Sequence, residues 1–380
     1  MKNPFLIFFV FIFTAFLSAT DIDNFHESEF LHDVNMRLNT QENWIEIRNN
    51  YSNCALEIPS LNVNVKKITF NICTFMNGVG LEIDQKILAN ALRNLGHDVN
   101  CIDLKQRKKP PKADINIFFE QFNQQWLFTA NQNWFVPNPE WYYHGEEALG
   151  QIDLILCRTR EVERIFKKYS KDIYYLGFTS VDCFQPGINK DFHSIFHLAG
   201  KSVQKGTGSV ISVWRNNPQF PILNLLKKNR TVKLDQPNYN LIAGRLEEND
   251  LRNYQNTCGI HLCPSETEGF GHYISEAMST GAVVVTTNAP PMNEFITDPR
   301  CLVKYERTKN QNFAINYYVD PKDLEKIINN LLKLSNKKLN SIGQKNRKAF
   351  LQNQKMFHHR LKLLLESELV DKKKTNPITN

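Results

Sequence analysis

The sequence lacks the short motifs that mark metal and redox sites. Its 8 cysteines include no Cys-x-x-Cys pair, and Asp-x-Asp occurs once, at Asp21–Asp23, outside any predicted strand. His193 and His197 are four positions apart, but they lie in or beside a predicted strand, so their spacing does not indicate a zinc pair. No Walker-type phosphate loop or hydrolase triad is visible. We therefore expect no metal site and no cofactor.

A strong excess of charge of one sign is also missing. Lys and Arg total 46 against 39 Asp and Glu, which gives a net charge of +7. Much of the excess lies near the C-terminus, for example in Lys372–Lys374. A solvated tail or proximity to an acidic membrane surface explains this pattern as well as nucleic acid does. We expect no nucleic-acid partner, and we leave proximity to a membrane surface open.

The apolar run at the N-terminus, Phe5 to Leu17, is shorter than the roughly 20 residues of a membrane-spanning helix. Lys2 precedes this run, and the small residues Ser18 and Ala19 follow it. A positive start, a short apolar core and small residues are typical of a secretory signal peptide. We predict a secretory or extracytoplasmic protein. An uncleaved membrane anchor formed by residues 5–19 and a buried N-terminal strand are the alternatives.

A chain of 380 residues exceeds the size at which a single core usually keeps growing, so two domains are expected. From Ile68 onwards, strand-like apolar runs alternate with amphipathic helical patterns in two successive series, which predicts an α/β protein with parallel sheets. The predicted segments are a signal peptide (1–20), an N-terminal extension (21–66), a first Rossmann-like domain (67–187), a second one (188–345), a C-terminal helix (346–370) and a basic polar tail (371–380).

The stretch LCPSETEGFGHYISE, residues 262–276, carries most of the functional information. It reads as the end of a buried strand, a glycine loop and the start of a helix. Gly269 and Gly271 allow a ligand to approach the main chain closely, and a helix N-terminus suits a phosphate. The carboxylates of Glu268 and Glu276 suit sugar hydroxyls rather than phosphate. A loop that favours both groups indicates a nucleotide sugar.

A second loop, GKSVQKGT at residues 200–207, lies between a predicted strand and a predicted helix. Cleavage of a sugar–phosphate bond leaves negative charge on a diphosphate, which preorganised donors must stabilise. Lys201 and Lys205 supply positive charge at this loop, and Gly206 lets the backbone come close. Two solvated surface lysines are the alternative interpretation. The place of the loop in the predicted fold favours phosphate binding.

The first domain offers candidates for an acceptor site, because ligands bind outside the carboxyl ends of parallel strands. Gly78 and Gly80 follow the first predicted strand. Other polar residues that follow predicted strands are Glu120, Asn138, Glu140 and His144. His144 could stabilise developing charge or move a proton, although a lone histidine is more often structural.

These motifs, taken in order, resemble those of a known family. The pattern PSETEGFGHYISEAMSTGAVVVTTNAPPMNE resembles the signature of the nucleotide-sugar-dependent glycosyltransferases of group 1, the GT4-like family. GKSVQKGT resembles the family's basic phosphate loop, VDCFQP its linker and NGVGLEI its first glycine loop. The resemblance spans roughly residues 67–340. It implies the GT-B fold, in which two Rossmann-like domains face each other across a cleft and a C-terminal helix crosses back to the first domain.

The resemblance also implies roles for residues. Glu268 should contact hydroxyls of the transferred sugar, and Glu276 should bind the ribose hydroxyls. Glu294 either contacts the base or ribose or caps its own helix. The donor-binding set is Lys201, Lys205, Gly206, Glu268, Gly269, Phe270, Gly271, His272, Glu276 and Glu294. The acceptor-side set is Gly78, Gly80, Asn138 and Glu140, and the catalytic set is Glu268, Lys205 and His144.

Two positions depart from the family pattern: Lys201 stands where the family often has Arg, and His272 stands where it usually has an apolar residue. The expected activity is transfer of a hexose from a nucleotide-sugar donor to a hydroxyl acceptor on a glycan, lipid or protein. The resemblance implies retention of configuration and no metal. The alternatives are a non-catalytic nucleotide-sugar-binding protein, or an epimerase or phosphorylase on the same fold.

Overall fold

The computed structural model describes residues 67–375 except 77, 79, 107, 171 and 229–236, with side chains up to residue 367. The chain divides into two compact units, residues 1–65 and 66–380, and every described residue belongs to the second. The predicted signal peptide, its anchor alternative and the N-terminal extension therefore lie outside the described residues. Within the described range, no helix combines the length and apolar character that a membrane crossing requires.

The first half is built on a parallel six-stranded sheet with the order β2-β1-β3-β4-β5-β6. Its strands are β1 (Thr69–Thr74), β2 (Asp98–Asp103), β3 (Ala113–Phe119), β4 (Ala130–Val136), β5 (Leu154–Cys157) and β6 (Ile173–Tyr175). β6 is shorter than the predicted strand IYYLGFTS because Gly177 adopts a left-handed conformation, with φ of 63°, directly after it.

Two α-helices belong to this half: α1 (Gly80–Asn94) and α2 (Arg160–Phe166). The spacing of apolar residues in the sequence predicts a helix from Asp84 to Leu95. α1 begins four residues earlier, because Glu82 lies in its first turn and accepts a hydrogen bond from the Gly78 N–H at 2.7 Å. Thr159 caps α2, since its side chain accepts a hydrogen bond from the N–H of Val162. Short 3-10 helices occupy Gln124–Thr129 and Glu147–Gln151.

The second half has its own parallel six-stranded sheet, with the order β12-β11-β10-β7-β8-β9. Its strands are β7 (Asp191–Gly200), β8 (Ile222–Lys227), β9 (Tyr239–Ala243), β10 (Cys258–Cys263), β11 (Val283–Thr287) and β12 (Leu302–Val303). An antiparallel hairpin follows, formed by β13 (Tyr305–Gln311) and β14 (Ala314–Val319). β8 and the hairpin are absent from the sequence-based prediction.

The α-helices of this half are α3 (Thr207–Asn216), α4 (Glu248–Thr257), α5 (His272–Ser279), α6 (Pro321–Leu332) and α7 (Asn336–Thr375). The prolines of PPMNEF suit the first turn of a helix and predict one there, but the structure has only a 3-10 turn, Met292–Glu294. A second such turn spans Pro299–Cys301. Every residue of β10 and β11 is buried, as expected for central strands of a parallel sheet.

The long helix α7 crosses back to the first half, as predicted. The Phe357 ring lies 5.0 Å from the ring of Phe178, which follows β6. The Tyr174 hydroxyl donates a hydrogen bond to the carbonyl of Arg360 at 2.9 Å, and the Arg360 guanidinium lies 4.8 Å from the Tyr175 ring centroid. The two sheets are therefore joined both by the loops of the cleft and by the last helix.

Candidate functional site

The basic loop connects β7 to α3 and packs against the loop that carries Glu268. Gly206 precedes α3 with φ of 63°, which favours glycine. A Cβ at Gly206 would lie 2.1 Å from the carbonyl oxygen of Pro264, so no other residue fits without moving the backbone. His197, buried in β7, contacts the Thr207 hydroxyl at 2.9 Å and the Leu262 carbonyl oxygen at 2.8 Å. These contacts fix the position of the loop and of the first turn of α3.

Lys205 and Glu268 meet within this pair of loops. The Lys205 Nζ lies 2.5 Å from Glu268 Oε1 and 3.9 Å from the Tyr273 ring centroid. The Ser265 hydroxyl also donates to Glu268 Oε1, and it lies 2.6 Å from the Tyr273 hydroxyl. Both members of the ion pair keep only a small exposed fraction, 18% for Lys205 and 12% for Glu268. The structure thus brings together two of the three predicted catalytic residues.

Lys201 lies at the carboxyl end of β7 with two other cations close by. The hydrogen bond and charge of Lys201, with the charge of Arg245, lower the pKa of Lys228. In the described part of the chain, none of these three cations has a carboxylate partner. A Cβ at Gly78, in the first glycine loop, would lie 3.7 Å from Lys201 Nζ. Lys201 therefore lies beside the first glycine loop, and the other two cations add positive charge next to it.

Glu276 is buried in α5, which begins after Gly271 with its φ of 95°. Its carboxylate accepts a hydrogen bond from Gln255 Nε2 at 3.2 Å and one from the Ser180 hydroxyl at 3.5 Å. Burial raises its pKa, while the charge of His272 and these donors act in the opposite direction. Its long contacts are the kind that a closer hydroxyl ligand can replace.

His272 joins the two halves of the molecule. Its Nδ1 lies 2.9 Å from the Ser180 hydroxyl, and its Nε2 lies 2.8 Å from Asp84 Oδ1 in α1. Arg158 NH1 donates to the same Asp84 oxygen at 2.7 Å. Burial raises the pKa of Asp84, but the charges of Arg158 and His272 outweigh burial and hold it below its usual value. His272, which departs from the family pattern, therefore has a partner in the first half, the Asp84 carboxylate.

The polar chain continues from Arg158 into the acceptor side. Arg158 NH2 donates to Asn138 Oδ1, and Asn138 Nδ2 donates to Glu120 Oε2 at 2.7 Å. Gly269 packs directly on this group, since a Cβ there would lie 1.9 Å from Asn138 Oδ1. Asn138 therefore touches the Glu268 loop from across the cleft.

Glu140 follows Asn138 in the same turn. The residue is 5% exposed, and its Oε2 has no hydrogen-bond partner among the described residues. Burial raises its pKa to about 7, and the charge of Glu268 adds to the increase. The Glu140 turn faces the Glu268 loop, since Asn138, two residues before Glu140, packs against Gly269, the residue after Glu268.

Three other predicted residues, Glu294, Phe270 and Gly80, make contacts within the protein. Glu294 accepts hydrogen bonds from the N–H groups of Arg160 and Glu161, at 2.7 and 2.8 Å, so it caps α2 in the first half rather than its own turn. The Phe270 ring packs between Phe178 and Phe295. A Cβ at Gly80 would lie 3.8 Å from the His272 ring, so the first glycine loop faces α5.

The third predicted catalytic residue, His144, stacks on Phe122 with ring centroids 5.0 Å apart. Burial lowers its pKa, and its Nε2 is buried without a hydrogen-bond partner in the described residues. Its ring contacts are with the aromatic residues Phe122, Tyr142 and Tyr143. The structure does not bring it into contact with Lys205 or Glu268.

Sequence reasoning did not single out Asp84, Ser180, Gln255, Ser265 or Tyr273. Asp84 lies in the first part of an amphipathic helix, where carboxylates are common because they stabilise the helix dipole. Ser180 follows a strand end, and Gln255 lies in a helix that looks solvent-exposed from its composition. Their roles depend on contacts across the molecule, so no local pattern could have identified them. None of the groups of His, Cys, Asp and Glu among the described residues could hold a metal ion.

Residues 227–349 match the family model described as "Glycosyl transferases group 1". Among curated proteins, no relative matches the sequence. The fold is similar to that of a glycosyltransferase from Rickettsia africae ESF-5 (TM-score 0.61, 14% identity, covering 80% of this chain and 99% of that one). It is also similar to sucrose-phosphate synthase from Thermosynechococcus elongatus (TM-score 0.59, 12% identity, 80% and 100% covered).

A third similar structure is Anabaena HepE in complex with UDP and glucose (TM-score 0.57, 14% identity, 79% of this chain and 100% of that chain covered). The structural matches show the GT-B fold, and the match to the family model lies within the second half of the chain, at residues 227–349. The predicted resemblance, the predicted fold and the predicted assignment to the glycosyltransferases are confirmed at that level.

Proposed function

We propose that this chain transfers a hexose from a nucleotide-sugar donor to a hydroxyl acceptor, with retention of configuration and without a metal ion. The observation that carries the proposal is the Lys205–Glu268 pair, which lies beside Gly206 and the N-terminus of α3. A cation for phosphate and a carboxylate for hydroxyls occupy one place, at the carboxyl end of β7 and β10. The complex of HepE with UDP and glucose is consistent with such a donor.

The donor diphosphate would bind between Lys201, Lys205 and the start of α3, because the leading N–H groups of a helix have no acceptor within it. In the structure Lys205 is bound to Glu268. A diphosphate competes for Lys205 because it carries more negative charge than a single carboxylate. When Lys205 moves to the phosphate, Glu268 is released to accept hydrogen bonds from sugar hydroxyls. Donor binding thus prepares the group that orients the sugar.

Glu276 would bind the ribose. Its present donors, Gln255 and Ser180, are 3.2 and 3.5 Å away, which are long hydrogen bonds. Two ribose hydroxyls can accept from Gln255 and donate to the carboxylate, which satisfies all three groups. Since Ser180 also contacts His272, ribose binding is connected to Asp84 in the first half.

In the proposed reaction, the bond between the anomeric carbon and the phosphate oxygen breaks, and its electron pair passes to the diphosphate. Lys201 and Lys205 stabilise that charge as it develops. The acceptor oxygen bonds to the same face of the anomeric carbon, and its proton passes to the departing phosphate oxygen. The products are a nucleoside diphosphate and a new glycoside with unchanged anomeric configuration.

The test begins with thermal-shift measurements using UDP-, ADP- and GDP-sugars, because ligand binding to the native state raises the melting temperature. Turnover is then measured as release of nucleotide. Lys205→Ala and Glu268→Ala should lower turnover by about 10²-fold or more while the unliganded melting temperature stays within a few degrees. Lys112→Ala and Glu147→Ala, at exposed positions, are the matched controls.

Near-normal turnover by either site variant would contradict the assigned roles. Product analysis separates the proposed activity from the alternatives, because only a transferase yields free nucleotide together with a new glycoside. A nucleotide sugar that binds and is recovered unchanged, even with a range of acceptors, would indicate a non-catalytic binding protein.

A further inference from the structure

The turn that carries Glu140 is held rigidly at the edge of the cleft. The N–H groups of Trp141 and Tyr142 both donate to the Asn138 carbonyl at 3.0 Å. Tyr142 is fully buried and its hydroxyl donates to the Gly145 carbonyl at 2.9 Å. Gln121 Nε2 donates to the Trp141 carbonyl from the end of β3. A backbone fixed at this many points presents the Glu140 side chain in one direction.

The hairpin β13–β14 reaches across from the second half and secures the same turn. Gln311 Nε2 and Asn312 Nδ2 both donate to the Glu140 carbonyl, at 3.0 and 2.7 Å. The Phe313 N–H donates to the Pro139 carbonyl at 3.1 Å. Gln204, in the basic loop, donates to Gln311 Oε1 at 2.9 Å. The hairpin tip therefore sets the distance between the Glu140 turn and the phosphate loop.

The Phe313 side chain anchors the hairpin tip in the first half. Its ring is stacked on Phe166, with centroids 5.8 Å apart and an interplanar angle of 7°. The rings of Tyr142 and Tyr169 approach it edge-on, each at 5.2 Å. Aromatic contacts of this type add to the stabilisation that burial provides. The hairpin is thus docked by its tip and is not merely adjacent to the turn.

The Glu140 carboxyl is the unusual part of this arrangement. A buried polar atom without a partner is costly, and native structures leave few of them. The charged groups near Glu140 are Glu268 in the facing loop, Arg158 at the end of β5 and Glu120 at the end of β3. Arg158 is already engaged by Asp84 and Asn138, so it does not neutralise Glu140 directly. Glu140 Oε2 therefore has room for a hydrogen-bond donor that the described residues do not supply.

We propose that Glu140 is the acceptor-binding residue of the cleft: its ionised carboxylate accepts a hydrogen bond from the attacking hydroxyl and holds it beside Glu268. The inference rests on the proposed function and specifies its acceptor side. A hydroxyl is the ligand that fits, since it donates one hydrogen bond and has a lone pair left for the anomeric carbon. The hydroxyl has a single proton, which it donates to Glu140 while the acceptor binds. As the bond to the phosphate breaks, the hydroxyl releases Glu140 and its proton passes to the departing phosphate oxygen, so Glu140 is a binding and positioning group and not the base.

The experiment uses the full chain and hydrolysis of the donor, in which water takes the place of the acceptor. UDP-glucose, ADP-glucose and GDP-mannose are the probes, and the donor that the wild type hydrolyses fastest is carried forward. Glu140→Gln keeps the shape of the side chain and removes its charge. We expect the variant to hydrolyse the donor about 10²-fold more slowly, the scale on which misplacement of a reacting group acts. Its thermal shift with the nucleoside diphosphate should equal that of the wild type.

The pH profile provides the second readout. With a pKa of about 7 for Glu140, the wild-type rate should fall as the pH decreases through 7, because the protonated carboxyl no longer accepts the hydrogen bond. Glu140→Gln should show no such fall. Glu147→Gln, at an exposed position of the same half, is the control and should match the wild type in rate and in pH dependence.

The outcomes are distinct. If the wild type binds and hydrolyses none of the donors, the proposed function fails and this inference fails with it. If the wild type is active and Glu140→Gln equals it in rate and pH dependence, only the assignment of Glu140 is wrong. If Glu140→Gln loses the nucleotide-induced thermal shift together with hydrolysis, Glu140 serves the donor site or the fold, and the acceptor assignment is wrong.

Discussion

Gly269 offers the sharpest test of the contact across the cleft. A Cβ at this position would lie 1.9 Å from Asn138 Oδ1, 2.6 Å from Asn138 Cγ and 3.0 Å from Arg158 NH2. Asn138 cannot turn away freely, because its amide is bound to both Glu120 and Arg158. Gly269→Ala should therefore force the Glu268 loop and the Asn138 turn apart by about 1.5 Å, which restores ordinary van der Waals separation.

The expected cost follows from the type of contact. Insertion of a methyl group into a packed site typically costs about 1–3 kcal/mol. For a protein of this size, that free energy corresponds to a decrease of roughly 2–12 °C in melting temperature. Donor hydrolysis should also decrease, because Glu268 adjoins Gly269 and shifts with it. The measurements are thermal unfolding, denaturant unfolding and the rate of nucleotide release.

A double-mutant cycle separates the clash from other effects of the substitution. In an Asn138→Ala background the clashing amide is gone, so Gly269→Ala should cost little beyond the cost of Asn138→Ala itself. Gly150→Ala is the matched control, since a Cβ there meets nothing within 4 Å. Equal unfolding free energies and rates for Gly269→Ala and the wild type, or equal effects in both backgrounds, would refute the close approach across the cleft.

Two further predictions concern the links between the halves. Arg158→Met should destabilise the protein by about 3–5 kcal/mol in denaturant unfolding, because it leaves a buried Asp84 carboxylate with His272 as its remaining charged partner. The control is Arg164→Met, which removes a surface pair with Glu161 and should change stability by no more than about 1 kcal/mol. Equal effects of the two substitutions would contradict the reasoning. Phe313→Ala should lower stability by about 1–3 kcal/mol and slow donor hydrolysis without changing nucleotide binding. The control is Thr308→Ala on the exposed strand β13, which should change neither stability nor hydrolysis. An unchanged hydrolysis rate in Phe313→Ala would show that the hairpin does not position the Glu140 turn.

Much of the fold could be predicted from the sequence because the signals were local. The run ITFNICTF gives β1, the alternation after Gly80 gives α1, and the fully apolar AVVVTT gives β11. The order of these elements then implies parallel sheets. The boundaries were less predictable, since Glu82 extends α1 backwards and Gly177 cuts β6 short.

The hairpin β13–β14 was not predicted because β13 is exposed up to its last residue and has no alternation of apolar and polar residues. Its turn depends on Asn312 in a left-handed conformation, with φ of 51°. The partners that make it important, the Glu140 carbonyl and Gln204, are remote in sequence. Period and composition carry no information about such contacts.

The candidate site divides in the same way. Lys205, Glu268 and Glu276 could be identified because each stands in a recognisable strand-loop-helix pattern. Glu294 could not be assigned, because the helix that it caps belongs to the other half of the chain. The chain Glu120–Asn138–Arg158–Asp84–His272 is likewise visible only in three dimensions, since neighbouring members come from five different elements or loops.

The crossing of α7 has a consequence for synthesis on the ribosome. The first sheet emerges early, yet Tyr174 and Phe178 receive their partners Arg360 and Phe357 only when the last tenth of the chain has been made. Because domains tend to fold in the order of their synthesis, the first half folds while part of its apolar surface is still exposed. Premature termination before α7 would therefore leave an aggregation-prone intermediate. A chaperone that covers this apolar face until translation ends would raise the yield of folded protein.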